Sequence, residues 1–379
     1  MLVTGLMSGT SMDGVTAVAA ELEGAEKVSY RLEDWMTVPY PAEVKRALLE
    51  LVENGEMESL CRLNFAVGEA FAETAAALSD SVGESPDLIG SHGQTVCHLP
   101  SEEEGERTFT LQIGEGDVIA ERTGVTTVSD FRVRDVAAGG EGAPLIPYLD
   151  WKLFRSPGKG RCMLNLGGIA NVTYLPPDGD LEDLLAFDTG PGNMIMDYLV
   201  RDITDGEREY DEGGKGAARG EVDRELLDWL LAHPFLEKTP PKSTGRSDFG
   251  PHFVERYEEK ALAKGLSSED ALATANAFTA QSVYRGCRRW LGQIDELIVS
   301  GGGTFNETLM ESLEELFQPP VVKSSAYGIP VEAKEALGFA ILAYETYRGV
   351  PSNVPAATGA RHRTMLGKIS PYNEVKGSA

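Results

Sequence analysis

Apolar residues fill Leu2 to Met7 and again Val15 to Leu22, while Ser8-Gly9-Thr10-Ser11-Met12-Asp13-Gly14 between them is turn chemistry, so the chain is expected to open with a β-hairpin. Val28 to Met36 alternates as a third strand. Apolar positions then recur at helical spacing over Pro41 to Asn54 and Glu56 to Ser79, the second run carrying an alanine-rich face at Phe65, Ala66, Ala70, Phe71 and Thr74. Short strands are expected at Asp87 to Ser91, Thr108 to Ile113 and Val125 to Asp130, with a helix starting at Gly114-Glu115-Gly116-Asp117. Strands alternating with helices predict a mixed, largely parallel sheet with helices packed on it.

Beyond Phe131 to Pro144 the pattern begins again. Cys162 to Leu166 and Val172 to Leu175 flank the turn Gly167-Gly168-Ile169-Ala170-Asn171, a second hairpin with a glycine-rich tip. In the run Ala186 to Asp197 an apolar stretch ends at Asp188 and turns through Gly190 and Gly192 into a helical pattern, which predicts a strand-to-helix corner with an acid at its tip. An acid at the carboxyl end of a strand suits a catalytic base, and an N-cap of the following helix is the other reading of the same residue. Pro240 to Arg246 reads as a polar loop, Ala271 to Leu291 as a long helix, and Glu296 to Ser300 as a strand entering Gly301-Gly302-Gly303-Thr304. Further helices are expected at about Asn306 to Leu316 and Ala333 to Tyr347. A strand, glycine turn and strand near the start of each half suggest a duplicated architecture of two similar lobes across a cleft.

Composition narrows the partners. With 379 residues the chain has room for two cores, and its net charge of −26 repels phosphate polymers and anionic membranes. Nucleic acid and membrane are therefore not expected as partners, and any phosphate site must be local. Such acidity suits a salty or hot habitat, and equally serves ordinary solubility. Cys61, Cys97, Cys162 and Cys287 show no metal-ligand or disulfide spacing, which points to a reducing cytoplasm. The start of the chain has no positively charged leader and no segment reaches membrane-spanning length, so the expectation is a cytoplasmic protein.

The turns at Ser8 to Gly14, Asn165 to Asn171 and Ser300 to Thr304 each expose backbone N–H groups able to cradle an anion. None matches the P-loop or the dinucleotide glycine pattern. Taken together, two hairpins and a strand entering triple glycine resemble the architecture of sugar kinases, heat-shock ATPases and actin. A more specific likeness lies in the strings Gly5 to Gly14, Gly90-Ser91-His92-Gly93-Gln94-Thr95, Asp130-Phe131-Arg132, Ala137-Ala138-Gly139-Gly140, Asn165-Leu166-Gly167-Gly168, Phe187 to Asn193, Lys242-Ser243-Thr244-Gly245-Arg246 and Tyr327-Gly328-Ile329-Pro330. In this order they resemble the anhydro-N-acetylmuramic acid kinase family, from the first strand to Thr358-Gly359.

The resemblance implies two actin-like, ribonuclease H-like α/β lobes, residues 1–132 rejoined by about 355–379, and residues 133–354, with the active site in the cleft between them. It also implies a bacterial enzyme of cell-wall recycling that uses ATP, Mg²⁺ and water to open the 1,6-anhydro ring and phosphorylate the freed 6-oxygen. Asp188 is then the expected base, Thr95, Arg134 and Glu335 the sugar-binding residues, and His92 scaffold. Gly9, Thr10, Ser11, Met12, Asp13, Gly14, Val15, Thr16, Gly167, Gly168, Gly301, Gly302 and Gly303 are expected to hold the nucleotide, with Asp13 also reaching Mg²⁺ through water. The plain readings stand beside these: an Asp-Gly turn at Asp13, a surface salt bridge at Arg134, a first-turn helix acid at Glu335, and a solvated basic loop at Lys242 and Arg246.

Three positions depart from the family's pattern: Val133 stands where a third arginine is common, Glu141 where glutamine is usual, and Thr16 where aspartate is frequent. Less positive charge leaves the anionic muramic substrate less secure than the chemistry. A kinase of another anhydrosugar of the levoglucosan kind and an inactive nucleotide-binding regulator are the alternatives, and the family likeness makes a homodimer plausible.

Overall fold

The computed structural model describes residues 1–9, 11–24, 28–101 and 107–372. The chain divides into two compact units, Met1–Leu153 with Glu332–Ala379, and Phe154–Val331.

The first unit opens with β1 (Leu2–Ser8), β2 (Gly14–Glu23) and β3 (Ser29–Pro39), an antiparallel meander. Helices α1 (Ala42–Asn54) and α2 (Met57–Val82) follow, each closed by a left-handed glycine, Gly55 and Gly83. Strand β4 (Leu88–Leu99) lies parallel to β1, and β5 (Phe109–Ile113) folds back on its far half. Then come α3 (Gly116–Thr123), β6 (Thr127–Ser129) parallel to β4, α4 (Phe131–Ala137) and α5 (Ile146–Phe154).

The second unit repeats the plan. Strands β7 (Arg161–Leu166), β8 (Ile169–Leu175) and β9 (Leu185–Pro191) form its meander. Helices α6 (Met194–Ile203), α7 (Arg224–Leu231), α8 (Arg246–Phe249), α9 (Pro251–Ala263) and α10 (Ser268–Trp290) precede β10 (Glu296–Ser300), parallel to β7. Helix α11 (Glu307–Leu316) leads to β11 (Val321–Lys323), parallel to β10. The chain returns to the first unit through α12 (Lys334–Tyr347), α13 (Pro355–Thr358) and β12 (Lys368–Ser370). Sheet orders are β12-β6-β4-β1-β2-β3 and β11-β10-β7-β8-β9. In both, the first strand of the meander pairs in parallel with the strand that follows the intervening helices, so the duplication expected from the hairpins is present in topology.

The first sheet packs Leu6, Val15, Ala17 and Ile89 against Leu48, Val67 and Phe71 of α1 and α2. The second packs Leu164, Val172 and Phe187 against Phe278, Val283 and Leu309 of α10 and α11. Helix α12 covers the other face of the first sheet. Its backbone comes so close that a Cβ on Gly5 of β1 would lie 1.9 Å from the Ala336 carbonyl, and one on Gly90 of β4 2.2 Å from that of Phe339. Buried ion pairs then join α5 to α12: Lys152 Nζ to Glu345 Oε1 at 2.9 Å and Lys334 Nζ to Asp150 Oδ1 at 2.8 Å.

These contacts place residues up to Leu153 and from Glu332 onward in the first unit, whereas the sequence reading divided the chain after residues 132 and 354. The start of the Phe131 to Pro144 stretch is helical in α4, and the short strand expected at Asp87 to Ser91 runs on to Leu99 because β5 supplies it with a partner. Among the described residues no helix is long and apolar enough to cross a membrane.

Candidate active site

In the second unit three glycine-bearing segments meet at the end of β7. The amides of Gly192 and Met194 donate to the Gly168 carbonyl at 2.8 and 3.2 Å, and Asn193 N donates to that of Gly167 at 2.8 Å, so the β9–α6 junction is bonded to the hairpin tip. From the other side, the segment after β10 presses on Leu166. A Cβ on Gly301 would lie 2.6 Å from the Leu166 carbonyl oxygen, and one on Gly303 2.6 Å from Leu166 Cβ and 3.0 Å from Asn193 Oδ1. Gly302 meets nothing within 4 Å and Gly168 is exposed. The result is a backbone cradle of glycines with Asn165, Asn193 and Met194 side chains beside it, and such exposed amides can hold an anion.

Asp188 belongs to the middle of β9 and not to a strand-to-helix corner. It pairs with Asn171 of β8 beside a register shift, and the strand continues to Pro191. The N-cap position of α6 is Asn193, which makes no side-chain capping bond, so the cap reading of Asp188 is wrong. Extra strand length is accommodated by the irregularity at Ala170–Asn171, which a pattern of apolar residues does not reveal.

The Lys242-Ser243-Thr244 loop holds Asp188 from both ends. Asp188 N donates to the Lys242 carbonyl at 3.0 Å, and Thr244 N donates to Asp188 Oδ2 at 2.8 Å. Burial nevertheless pushes the Asp188 carboxyl up to about 6, against the lowering effects of the Thr244 amide and the Lys242 charge. A carboxylate with this basicity is ionised at neutral pH and a better proton acceptor than an exposed aspartate. Lys242 is not a solvated loop lysine as expected: its side chain is 7% exposed, its ammonium donates to the Phe235 and Leu236 carbonyls at 3.2 Å each, and burial lowers its pKa. Arg246 is exposed as expected.

The first unit carries the other hairpin turn. Gln94 of β4 braces it: Ser8 Oγ donates to Gln94 Oε1 at 2.7 Å, and Gln94 Nε2 donates to the Gly9 carbonyl at 3.1 Å. Gln94 is fully buried and was not singled out in the sequence. Met12 turns its side chain inward at φ 56°, while Gly9, Ser11 and Asp13 are exposed and Gly14 is half-buried. Val15 is in the core and can offer a ligand no polar side chain, while the Thr16 hydroxyl bonds that of Thr37 at 2.9 Å. Thr10 lies outside the described residues. Lys45 Nζ donates to Asp13 Oδ1 at 2.6 Å and holds that carboxyl below its usual range. One exposed carboxylate partly engaged by lysine fits Mg²⁺ held through its waters, the mode in which this ion takes few protein ligands.

A second constellation gathers around His92. Its Nδ1 bonds the Gly93 carbonyl at 2.8 Å, Arg132 Nε donates to its Nε2 at 3.0 Å, and Arg132 Nη1 donates to the Gly142 carbonyl at 3.0 Å. Burial and the Arg132 charge depress the His92 pKa to about 3, so it is a neutral scaffold, as read from the sequence. Arg132 also faces Glu335 in the first turn of α12, where burial raises the carboxyl and the charges of Lys334 and Arg132 oppose that rise. Arg134, two residues on and so on another side of α4, is exposed, and its guanidinium has no hydrogen bond or ion pair among the described residues. Thr95 sits on β4, its hydroxyl accepting from Gln112 Nε2 at 3.2 Å. The Arg132 charge thus acts on Glu335 while its guanidinium is bonded to His92, and Arg134 and Thr95 are not tied to that pair. Asp135, fully buried, fastens the adjoining loop by accepting from Gly142 N, Asn353 Nδ2 and the Thr358 hydroxyl.

The family model for anhydro-N-acetylmuramic acid kinase matches residues 1–372. Among curated relatives, the anhydro-N-acetylmuramic acid kinase of Caldanaerobacter subterraneus subsp. tengcongensis is 46% identical over 97% of this chain and 96% of its own length. That of Salinibacter ruber is 43% identical over 97% and 96%. That of Bacillus cereus strain Q1 is 42% identical over 98% and 99%. With the family model matching residues 1–372 and relatives at 42–46% identity over nearly its whole length, the chain belongs to the anhydro-N-acetylmuramic acid kinase family.

Proposed function

We propose that this kinase opens the 1,6-anhydro bond with water and transfers the γ-phosphate of ATP to O6 in one coupled event, with Asp188 as the base. Asp188 takes a proton from water as the water oxygen bonds to the anomeric carbon. The C1–O6 bond breaks, O6 bonds to the γ-phosphorus, and the bond from phosphorus to the ADP oxygen breaks. The proton then leaves Asp188 for solvent. An ordinary inverting glycosidase needs a second carboxylic acid to protonate the leaving oxygen, whereas here phosphorus captures it. The observation that supports this role is the Asp188 carboxylate held by Thr244 N with its pKa raised to about 6.

Thr95 and Glu335 are assigned to sugar hydroxyls, with His92 and Arg132 positioning Glu335. Arg134, exposed and without a partner among the described residues, is assigned to the lactyl carboxylate. The turn from Gly9 to Thr16, the Gly167–Gly168 tip and the Gly301–Gly303 segment are assigned to ATP, and Asp13 to the waters of Mg²⁺, which when bound neutralises phosphate charge. Use of ATP places the reaction in the cytoplasm. Asp188→Asn should lower kcat roughly 10²- to 10⁴-fold while ATP affinity stays within about twofold. Retention of kcat within about tenfold removes Asp188 as the base. Release of ADP must also depend on the anhydrosugar; sugar-independent release contradicts the assignment of a kinase.

A further inference from the structure

Behind β9 the second unit contains a cavity of about 450 Å³ lined by Thr189, Lys242 and Glu237 on one side and by Ser282, Arg285, Arg288 and Arg289 of α10 on the other. In a chain of net charge −26 this gathers four cations around one carboxylate. Arg289 Nη1 pairs with Glu237, and Arg288 Nη1 donates to the Tyr284 hydroxyl at 3.4 Å. Arg289 thus has a carboxylate partner that explains it without a ligand, whereas Arg288, exposed near the end of α10, has only a neutral hydroxyl.

Lys242 and Arg285 have no such explanation. Lys242 is more than nine-tenths buried, yet its ammonium has two neutral carbonyls and the Phe235 and Phe187 rings as partners, with the Glu237 and Asp188 charges acting on it only from beyond ion-pairing distance among the described residues. Arg285 lies outside the last turn and has no hydrogen bond or ion pair among the described residues. A buried ammonium without a counter-ion is costly unless an anion completes it. Space is sufficient for more than an inorganic ion, since phosphate alone would leave much of the cavity empty.

We propose that this cavity binds a small phosphorylated anion of the sugar-phosphate class, the phosphate lying between Lys242, Arg285 and Arg288. The site is separate from the glycine cradle: its wall is Thr189 and the α10 face at Gly286, where a Cβ on Gly286 would lie 3.2 Å from Thr189 Cγ2. It adjoins the base, because Lys242 also accepts the Asp188 amide through its carbonyl.

Calorimetric titration of the full chain tests this, with a non-hydrolysable ATP analogue and Mg²⁺ saturating the nucleotide site. Inorganic phosphate, glucose 6-phosphate and glucose are the three probes. The proposal expects glucose 6-phosphate to bind, phosphate to bind more weakly, and glucose not at all. Arg285→Ala and Arg288→Ala, both surface changes, should each weaken glucose 6-phosphate at least tenfold with unchanged Tm, and Arg285→Lys should recover part of the loss. Phosphate binding as tightly as glucose 6-phosphate overturns the sugar-phosphate class. Absence of binding by both anions, or binding indifferent to the arginine variants, overturns the site, and neither result touches the assignment of the kinase reaction.

Discussion

At the scale of residues, Asp188 has two properties that pull in opposite directions. With a native pKa of about 6, raised by burial, it binds its proton more readily folded than unfolded between pH 3.8 and about 6. That stabilisation is complete below pH 3.8 and is lost as pH rises through about 6, so at pH 8 the ionised group costs stability on the order of 2–3 kcal/mol. Asn keeps an oxygen to accept from Thr244 N. Asp188→Asn is therefore expected to raise Tm at pH 8 while lowering kcat; a fall in Tm there contradicts the burial account. Activity has the matching sign: the acid limb of kcat/KM should fall at about pH 6, where Asp188 protonates, and a limb near 4 would mean an unburied base. Asp197, pushed up to about 7 by burial in α6, has no place in the proposed chemistry, and Asp197→Asn should keep turnover.

The other residue-scale expectation concerns charge recognition. If Arg134 reads the lactyl carboxylate, Arg134→Ala raises KM for anhydro-N-acetylmuramic acid by tenfold or more and barely changes it for an anhydrosugar lacking that group. Equal changes would remove the assignment. Glu141, which looked like a charge opposed to the substrate, accepts hydrogen bonds from the hydroxyls of Ser101 and Thr108, so its carboxylate is already engaged.

At the scale of elements, the glycines divide into those that permit packing and those that leave space. Gly303→Ala forces a methyl group to 2.6 Å from Leu166 Cβ and should lower stability by about 1–3 kcal/mol, measured by denaturant midpoint. Gly302→Ala meets nothing within 4 Å, so stability should change by less than about 0.5 kcal/mol while KM for ATP rises if the nucleotide occupies that space. Unchanged KM would place the nucleotide elsewhere.

Hairpins and long helices were legible because alternation and helical spacing act within a few residues: Leu2 to Leu22 and Ala271 to Leu291 were read nearly to their ends. What was not legible depends on distant partners. Strand β4 is long because β5 reaches it, β9 runs past Asp188 by carrying one extra residue, Thr189, against β8, and Lys242 is buried beside Phe235 and Phe187. Helices α7 and α9 went unread although Leu226 and Leu230 repeat at helical spacing, an available signal. Gln94 looked like part of a motif, and only folding showed it bonded to Ser8 and Gly9.

At the scale of the whole molecule, one strand plan is used twice, and residues assigned to one reaction are divided between the copies. The copy containing Asp188 carries the residue proposed as base and the glycine segments assigned to ATP; the other carries a second turn braced by Gln94 and the His92 and Arg132 pair near Glu335. The coupled reaction explains why the base has no partner acid assigned to it. Its central claim is that water attacks carbon while O6 attacks phosphorus. Turnover in oxygen-18 water, quenched before the anomeric oxygen exchanges with solvent and read by mass spectrometry, tests that claim most directly. One label at the anomeric carbon and none in the sugar phosphate group is the expected result, with one ADP formed per sugar opened. Label in the phosphate, or an unlabelled anomeric carbon, would contradict it.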